Sequence, residues 1–119
     1  MATGIENLSV DCDEPWALAQ FWSALLGWPV DDDNSADDNE VGVSPPEAGQ
    51  VPLLFIKVPE GKSGKNRLHL DLRPDDQAEE VERALSLGAT RSQVGQTGEE
   101  SWVVLADPEG NEFCILRAN

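Results

Sequence analysis

The chain has 119 residues, enough for one domain with a real core and too few for two ordinary ones. Eight Lys and Arg against 23 Asp and Glu give a net charge of −15, which repels phosphate backbones and anionic membrane surfaces and argues against nucleic acid or a membrane as partner. The opening Met1-Ala2-Thr3-Gly4-Ile5-Glu6 lacks the basic stretch and apolar run of a secretory signal, and no segment approaches the roughly 20 apolar residues of a membrane-spanning helix, so a cytoplasmic protein is expected.

In chain order, Asn7-Leu8-Ser9-Val10-Asp11-Cys12 alternates strictly and predicts a strand. Leu18, Phe21, Trp22, Leu25 and Leu26 then form the stripe of a helix lying on a core, with Asp13 as the expected cap, Pro15 at an early position and Gly27 as the stop. Strands are expected at 28–31, 40–44 and 51–58. Between them, residues 31–40 carry six carboxylates in ten positions, which predicts a solvated loop, since dense like charge disfavours compaction and the spacing does not match a calcium loop. Glu60-Gly61-Lys62-Ser63-Gly64-Lys65-Asn66 is expected to be a flexible connector, because it lacks the full glycine and lysine spacing of a phosphate loop.

The second half starts with Arg67-Leu68-His69-Leu70-Asp71-Leu72-Arg73, a strand that puts the sole histidine on its polar side. A helix follows at 76–87, with Asp76 and Glu79 at capping-box spacing, Ala78, Val81 and Leu85 expected inward, and Gly88 as the stop. Strands are expected at 89–94, 101–106 and 112–117, the last two joined by a tight turn at Asp107-Pro108-Glu109-Gly110-Asn111. Cys12 and Cys114 fit no redox or zinc spacing, so both are expected as reduced thiols.

The halves repeat. Asn7 falls on His69 at an offset of 62 and Gly27 on Gly88 at 61. If Leu8, Val10 and Cys12 face one helix and Leu68, Leu70 and Leu72 the other, then Asn7, Ser9, Asp11, Arg67, His69, Asp71 and Arg73 face the opposite way. In the last strand Phe113 and Ile115 join the helix side, while Glu112, Cys114 and Leu116 join the polar side. For 101–106 either Trp102 and Val104 or Val103 and Leu105 take the polar side, and both phases remain open.

Asp11-Cys12 with Asp13 and Pro15, Leu18-Ala19-Gln20-Phe21-Trp22, Leu25-Leu26-Gly27-Trp28, Val58-Pro59-Glu60, Asn66-Arg67-Leu68-His69-Leu70-Asp71-Leu72, Leu87-Gly88-Ala89-Thr90 and Asp107-Pro108-Glu109-Gly110-Asn111-Glu112-Phe113-Cys114 occur in the order and spacing of a known family. On these residues the chain resembles a glyoxalase-like domain of the vicinal oxygen chelate superfamily, which also holds bleomycin resistance proteins and dioxygenases. The resemblance implies an α+β fold, a single domain over 1–119 made of two βαβββ modules, about 1–60 and about 66–119, with a curved mixed sheet around a cavity. It further implies isomerase, lyase, dioxygenase or epimerase chemistry, or antibiotic sequestration without catalysis.

Metal-using members of that superfamily hold a divalent ion through His, Glu or Gln on the first and last strands of each module. Carried onto this chain, the resemblance puts His69 at the histidine position of the second module, Asn7 at its counterpart in the first, Phe55 or Ile56 at a position where neither can ligate, and Cys114 where a glutamate usually stands. No cofactor is therefore expected, and if a divalent metal binds, His69 and Glu112 are its expected ligands; zinc through His69, Cys114 and Glu112 is chemically allowable.

His69 is the candidate general acid or base. Asn7, Asp71, Arg73, Trp102, Glu112 and Cys114 are the candidate ligand-binding residues, with Trp102 offering a stacking surface. The bland alternatives are a histidine hydrogen-bonded in a cavity wall and a cysteine packed in a strand. The expected function is a small-organic-molecule binder with an incomplete metal site. The alternatives are a metal-dependent lyase or isomerase and a sequestering protein, and a homodimer is the expected assembly.

Overall fold

The computed structural model describes residues 3–92 and 101–119, which fall into two compact units, Met1–Gly61 and Lys62–Asn119. The first contains β1 (Leu8–Cys12), α1 (Pro15–Leu26), β2 (Glu40–Val43) and β3 (Leu53–Lys57). The second contains β4 (Leu70–Leu72), α2 (Gln77–Leu87), β5 (Thr90–Arg91), β6 (Val103–Ala106) and β7 (Glu112–Ile115). The class is α+β. Among the described residues, no helix is long and apolar enough to cross a membrane.

The repeat read from the sequence is also a repeat of topology. In the first sheet the order is β1-β3-β2, with β1 parallel to β3, β2 antiparallel to it, and Val30 bridging Val43 beyond β2. In the second it is β4-β7-β6-β5, with β4 parallel to β7 and the remaining pairs antiparallel. Each sheet is thus mixed and open, with the first strand of its unit lying beside the last. The strand expected at 28–31 is reduced to the single Val30 bridge because the chain turns at once into the acidic loop. Of the strand expected at 89–94 only Thr90 and Arg91 pair, and Gln93 and Val94 lie outside the described residues.

Helix boundaries follow local chemistry. Gly27 closes α1 at φ 73°, a left-handed conformation that favours glycine. Asp13 does not cap this helix, contrary to the sequence expectation. Pro15 occupies the first turn, so the boundary residue is Glu14 (φ −125°), whose side chain makes no capping bond. Asp13 instead accepts a hydrogen bond from Lys57 Nζ through its backbone oxygen at 2.7 Å. In α2 Asp76 takes the cap position as expected, its carboxylate accepting from the Glu79 N–H at 3.0 Å. Asp76→Ala is therefore expected to lower stability by about 0.5–2 kcal/mol in urea unfolding.

Registers decide the faces. In the first sheet Phe55 lies between Val10 and Val41, and Leu53 between Leu8 and Val43. Phe55, Val41 and Val43 are fully buried beside α1, which packs on β2 and β3 with Leu18, Phe21, Trp22 and Leu25 inward. In the second sheet Leu70 pairs with Phe113 and Leu72 with Ile115, and α2 packs on β7. Val81 and Ala84 are its buried residues, while Ala78, expected inward, is exposed and Leu85 is half-buried. Leu68 is also a correction: it precedes β4 and is 79% exposed, because the pairing with β7 begins only at Leu70.

The acidic loop is solvated as expected, with no buried residue over 31–40, and it also carries hydrogen bonds of its own. Asp38 accepts from the Ser35 N–H and from the Asn34 side chain, Asn34 Oδ1 accepts from the Gly42 N–H at 2.8 Å, and Asp31 Oδ1 accepts from Ser44 Oγ at 2.7 Å. The Asp31 carboxylate lies over Gly42, where any β-carbon would collide with it. Those bonds, led by that from the Ser35 backbone, hold the Asp38 carboxyl below the usual carboxylate range.

Candidate functional site

Pairing of β4 with β7 brings Asp71 and Cys114 together, and His69, one residue before β4, reaches both. Asp71 is paired with Cys114, and Cys114 with Val104, so the three share one face of the second sheet. His69, two residues before Asp71, joins that face: its Nδ1 lies 3.1 Å from Asp71 Oδ1 and 4.0 Å from Cys114 Sγ. The imidazole and carboxylate are 43% and 49% exposed, whereas Cys114 is buried. The opposite face carries Leu105, Phe113 and Ile115, all fully buried.

Electrostatics assign states to these groups. Burial pushes the Cys114 thiol up, Asp71 adds to this through its charge and a hydrogen bond, and Lys65 opposes it. Cys114 is therefore a protonated thiol at neutral pH, which disfavours it as a nucleophile. A carboxylate can only accept, so opposite Asp71 the fitting tautomer of His69 donates from Nδ1 and leaves Nε2 as its acceptor.

The other residues singled out from the sequence lie elsewhere. Glu112 shares the Cys114 face by alternation but is engaged by Lys62 Nζ, at 3.2 Å from both carboxylate oxygens, and accepts from the Asn66 N–H at 3.2 Å. Among the described residues, the His, Cys, Asp and Glu donors close enough to share one ion are those of His69, Asp71 and Cys114, so Glu112 stands apart from the group. Arg73 donates to the Arg117 carbonyl at 2.7 Å, tying the end of β4 to the chain beyond β7. Trp102 is 43% exposed, two residues ahead of Val104. Asn7, in the first unit, donates to Ser9 Oγ at 2.9 Å.

Lys62 and Asn66 had no assigned role in the sequence reading, which treated 60–66 as a connector. The available signal was charge: three of the chain's eight basic residues, Lys62, Lys65 and Arg67, fall within six positions. Burial pushes the Glu112 carboxyl up, but hydrogen bonds from its own N–H and the Asn66 N–H, together with the Lys62 ammonium, outweigh this and hold it below the usual range. A lowered folded-state pKa contributes stability above the unfolded value that is lost as pH falls through the folded one. Wild type is thus expected to lose stability more steeply with acid than Glu112→Gln, measured as urea midpoints from pH 6 downwards.

Comparisons with known proteins place the fold. The glyoxalase-like domain model matches residues 7–116. The chain belongs to the glyoxalase-like domain family, within the vicinal oxygen chelate superfamily. Solved structures with the same fold include a glyoxalase/bleomycin resistance protein/dioxygenase family enzyme from Burkholderia phytofirmans, at 19% identity over 95% of this chain and 97% of that one, with TM-score 0.73. An antibiotic binding protein from Streptomyces is 18% identical over 99% of this glyoxalase-like chain and 98% of its own, with TM-score 0.67. A fosfomycin resistance protein from Listeria monocytogenes, solved with Mn(II) and a dihydroxypropylphosphonic acid, is 14% identical over 100% and 93%, with TM-score 0.72. A sequence comparison with curated proteins gave no match.

The Mn(II)-bound relative makes the donor chemistry of this glyoxalase-like chain worth testing. Hard ions favour several oxygen donors, whereas the clustered set here offers one imidazole, one carboxylate and one thiol. That set does not fit Mn(II); it fits a borderline ion that accepts sulfur and nitrogen.

Proposed function

We propose that this glyoxalase-like protein binds a small organic molecule on the polar face of its second sheet, with His69 and Asp71 as the polar contacts, Trp102 as a stacking surface and Cys114 in the floor. The His69–Asp71 contact at 3.1 Å carries this reading. Asp71 orients the ring, and His69 presents Nε2 to accept a hydrogen bond or a proton from the ligand. Glu112 and Arg73, engaged by Lys62 and by the Arg117 carbonyl, support the wall. The Streptomyces antibiotic binding protein of the same fold favours binding or sequestration as the role.

A second reading draws on the same pair. An oriented imidazole with a free Nε2 suits proton abstraction in a lyase or isomerase reaction, with His69 as general base. In either reading the working assembly is a homodimer in the cytoplasm, since isologous pairs are the commonest assembly of soluble chains; light scattering at twice the chain mass checks the dimer.

The test is titration of ¹⁵N-labelled protein with a panel of α-hydroxy acids, catechols and phosphonates. Amide shifts are expected to cluster at 69–73 and 112–116 and to vanish in His69→Ala. Shifts confined to residues 3–61, or none with any member, would defeat the reading.

A further inference from the structure

Four of the chain's eight basic residues, Lys62, Lys65, Arg67 and Arg73, fall within residues 62–73, against one carboxylate, Asp71. Four positive charges and one negative give this stretch +3, so the remainder of a chain at −15 carries −18. We propose that Lys65 is the anion-binding residue of the His69 face, and that the ligand is a small molecule with a hydroxyl beside a carboxylate or phosphonate group. This rests on the reading above, that the face binds a small organic molecule, and adds the charge class of that molecule.

Glu112 sets the placement. Its carboxylate, on the Cys114 face, accepts from the Asn66 N–H at 3.2 Å and so holds the residue after Lys65 against the start of β7. Gly64, at φ 73°, turns the chain just before Lys65. Lys62 is committed: its Nζ pairs with Glu112 at 3.2 Å and donates to the Gly64 carbonyl. The Glu112 charge is thereby matched, and the Asp71 carboxylate is engaged by His69 Nδ1 at 3.1 Å. Lys65, by contrast, is exposed and makes no side-chain hydrogen bond or ion pair among the described residues. Its charge nevertheless reaches the face, where it counters the upward push on the Cys114 thiol.

Charge and donor geometry together set the ligand class. A chain this acidic repels an anion over most of its surface, and a local positive stretch draws one in. An ammonium on a flexible stem offers three donors to a carboxylate or phosphonate oxygen, and such charge-assisted bonds are about twice as strong as neutral ones. His69 supplies the complementary contact, because with Nδ1 turned to Asp71 its Nε2 accepts from a ligand hydroxyl. A hydroxyl and an anionic group on neighbouring atoms of one small molecule satisfy both residues, whereas a neutral alcohol satisfies His69 alone.

The test titrates the full ¹⁵N-labelled chain with lactate, hydroxymethylphosphonate and lactamide, the last keeping the hydroxyl of lactate without its charge. The tighter-binding of the two anions is expected to shift amides at 65, 69–73 and 112–116 with an affinity about fivefold above that of lactamide, the scale of an exposed charge pair. That advantage should shrink as ionic strength rises from about 0.02 to 0.2 M. Lys65→Gln should bring the anion down to the affinity of lactamide and leave lactamide itself unchanged, and Lys65→Arg should restore the anion. Arg91→Gln, at an exposed cation on β5, should alter neither. Equal affinities for anion and lactamide at the His69 face, or full anion affinity in Lys65→Gln, overturn the anion assignment while the ligand-binding reading stands. Anion shifts spread evenly over Lys57, Arg83 and Arg91 as well overturn it too, because they report attraction to any surface cation. If no compound, charged or neutral, shifts residues 69–73 or 112–116, both readings fall.

Discussion

Phe113→Ala is expected to lower stability by about 3–5 kcal/mol, the usual cost of removing a buried phenyl ring and leaving a cavity. Phe113 is 1% exposed, between Leu70 on β4 and Leu105 on β6 in the middle of β7. A domain of this size is stable by roughly 5–15 kcal/mol in all, so this loss is a large fraction of the total. The contrast is Leu68→Ala, where a side chain 79% exposed should cost within about 0.5 kcal/mol. Urea unfolding of the two variants measures both. Because Phe113 sits between Glu112 and Cys114, its loss also loosens the strand that carries the thiol, and ligand shifts at 112–116 should weaken even where the variant remains folded.

Asp107→Ala is expected to cost about 3 kcal/mol and to disturb the site from a distance. Asp107 is the buried acidic residue of the β6–β7 turn, 2% exposed, and its Oδ1 accepts from the Glu109 and Asn111 N–H groups while Oδ2 accepts from Asn111 Nδ2. Alanine leaves two half-buried backbone donors without that acceptor, and at about 1–2 kcal/mol each, the lower part of the range for unsatisfied buried donors, they account for the loss. Asp107→Asn keeps one oxygen in place and should recover more than half of the loss. The turn also sets register: Val104 opposes Cys114, and a slip by one residue sends Cys114 to the apolar face. Faster amide exchange across 103–115 in Asp107→Ala, restored by Asp107→Asn, checks this role.

Local rules carried the fold a long way. Period-2 alternation around Leu8–Cys12 and Leu70–Leu72, the stripe ending at Gly27, and the Asp76 and Gly88 signals each correspond to an observed element. The face shared by His69, Asp71 and Cys114 was legible for the same reason, since alternation needs only the strand phase. The phase of β6 was not, because it depends on which residue opposes Cys114; the register selects Val104. Leu68 was misplaced because its burial depends on where pairing with β7 begins, and Ala78 because the inward side of α2 is set by the strand it packs on. The state of Glu112 was invisible for a similar reason: its partners Lys62 and Asn66 are 50 and 46 residues away in the chain. Asp13 lost the capping position to a local rule weighed too lightly, the boundary imposed by Pro15.

The proposed ligand site centres on one place, the His69 imidazole on the Asp71 and Cys114 face. A crystal structure with the tightest-binding member of the oxygen-rich panel tests that directly. The account predicts a ligand oxygen within hydrogen-bond reach of the His69 ring, above Asp71 and Cys114. A ligand seated against Leu105, Phe113 and Ile115, or bound only by residues 3–61 with His69 in solvent, would contradict it.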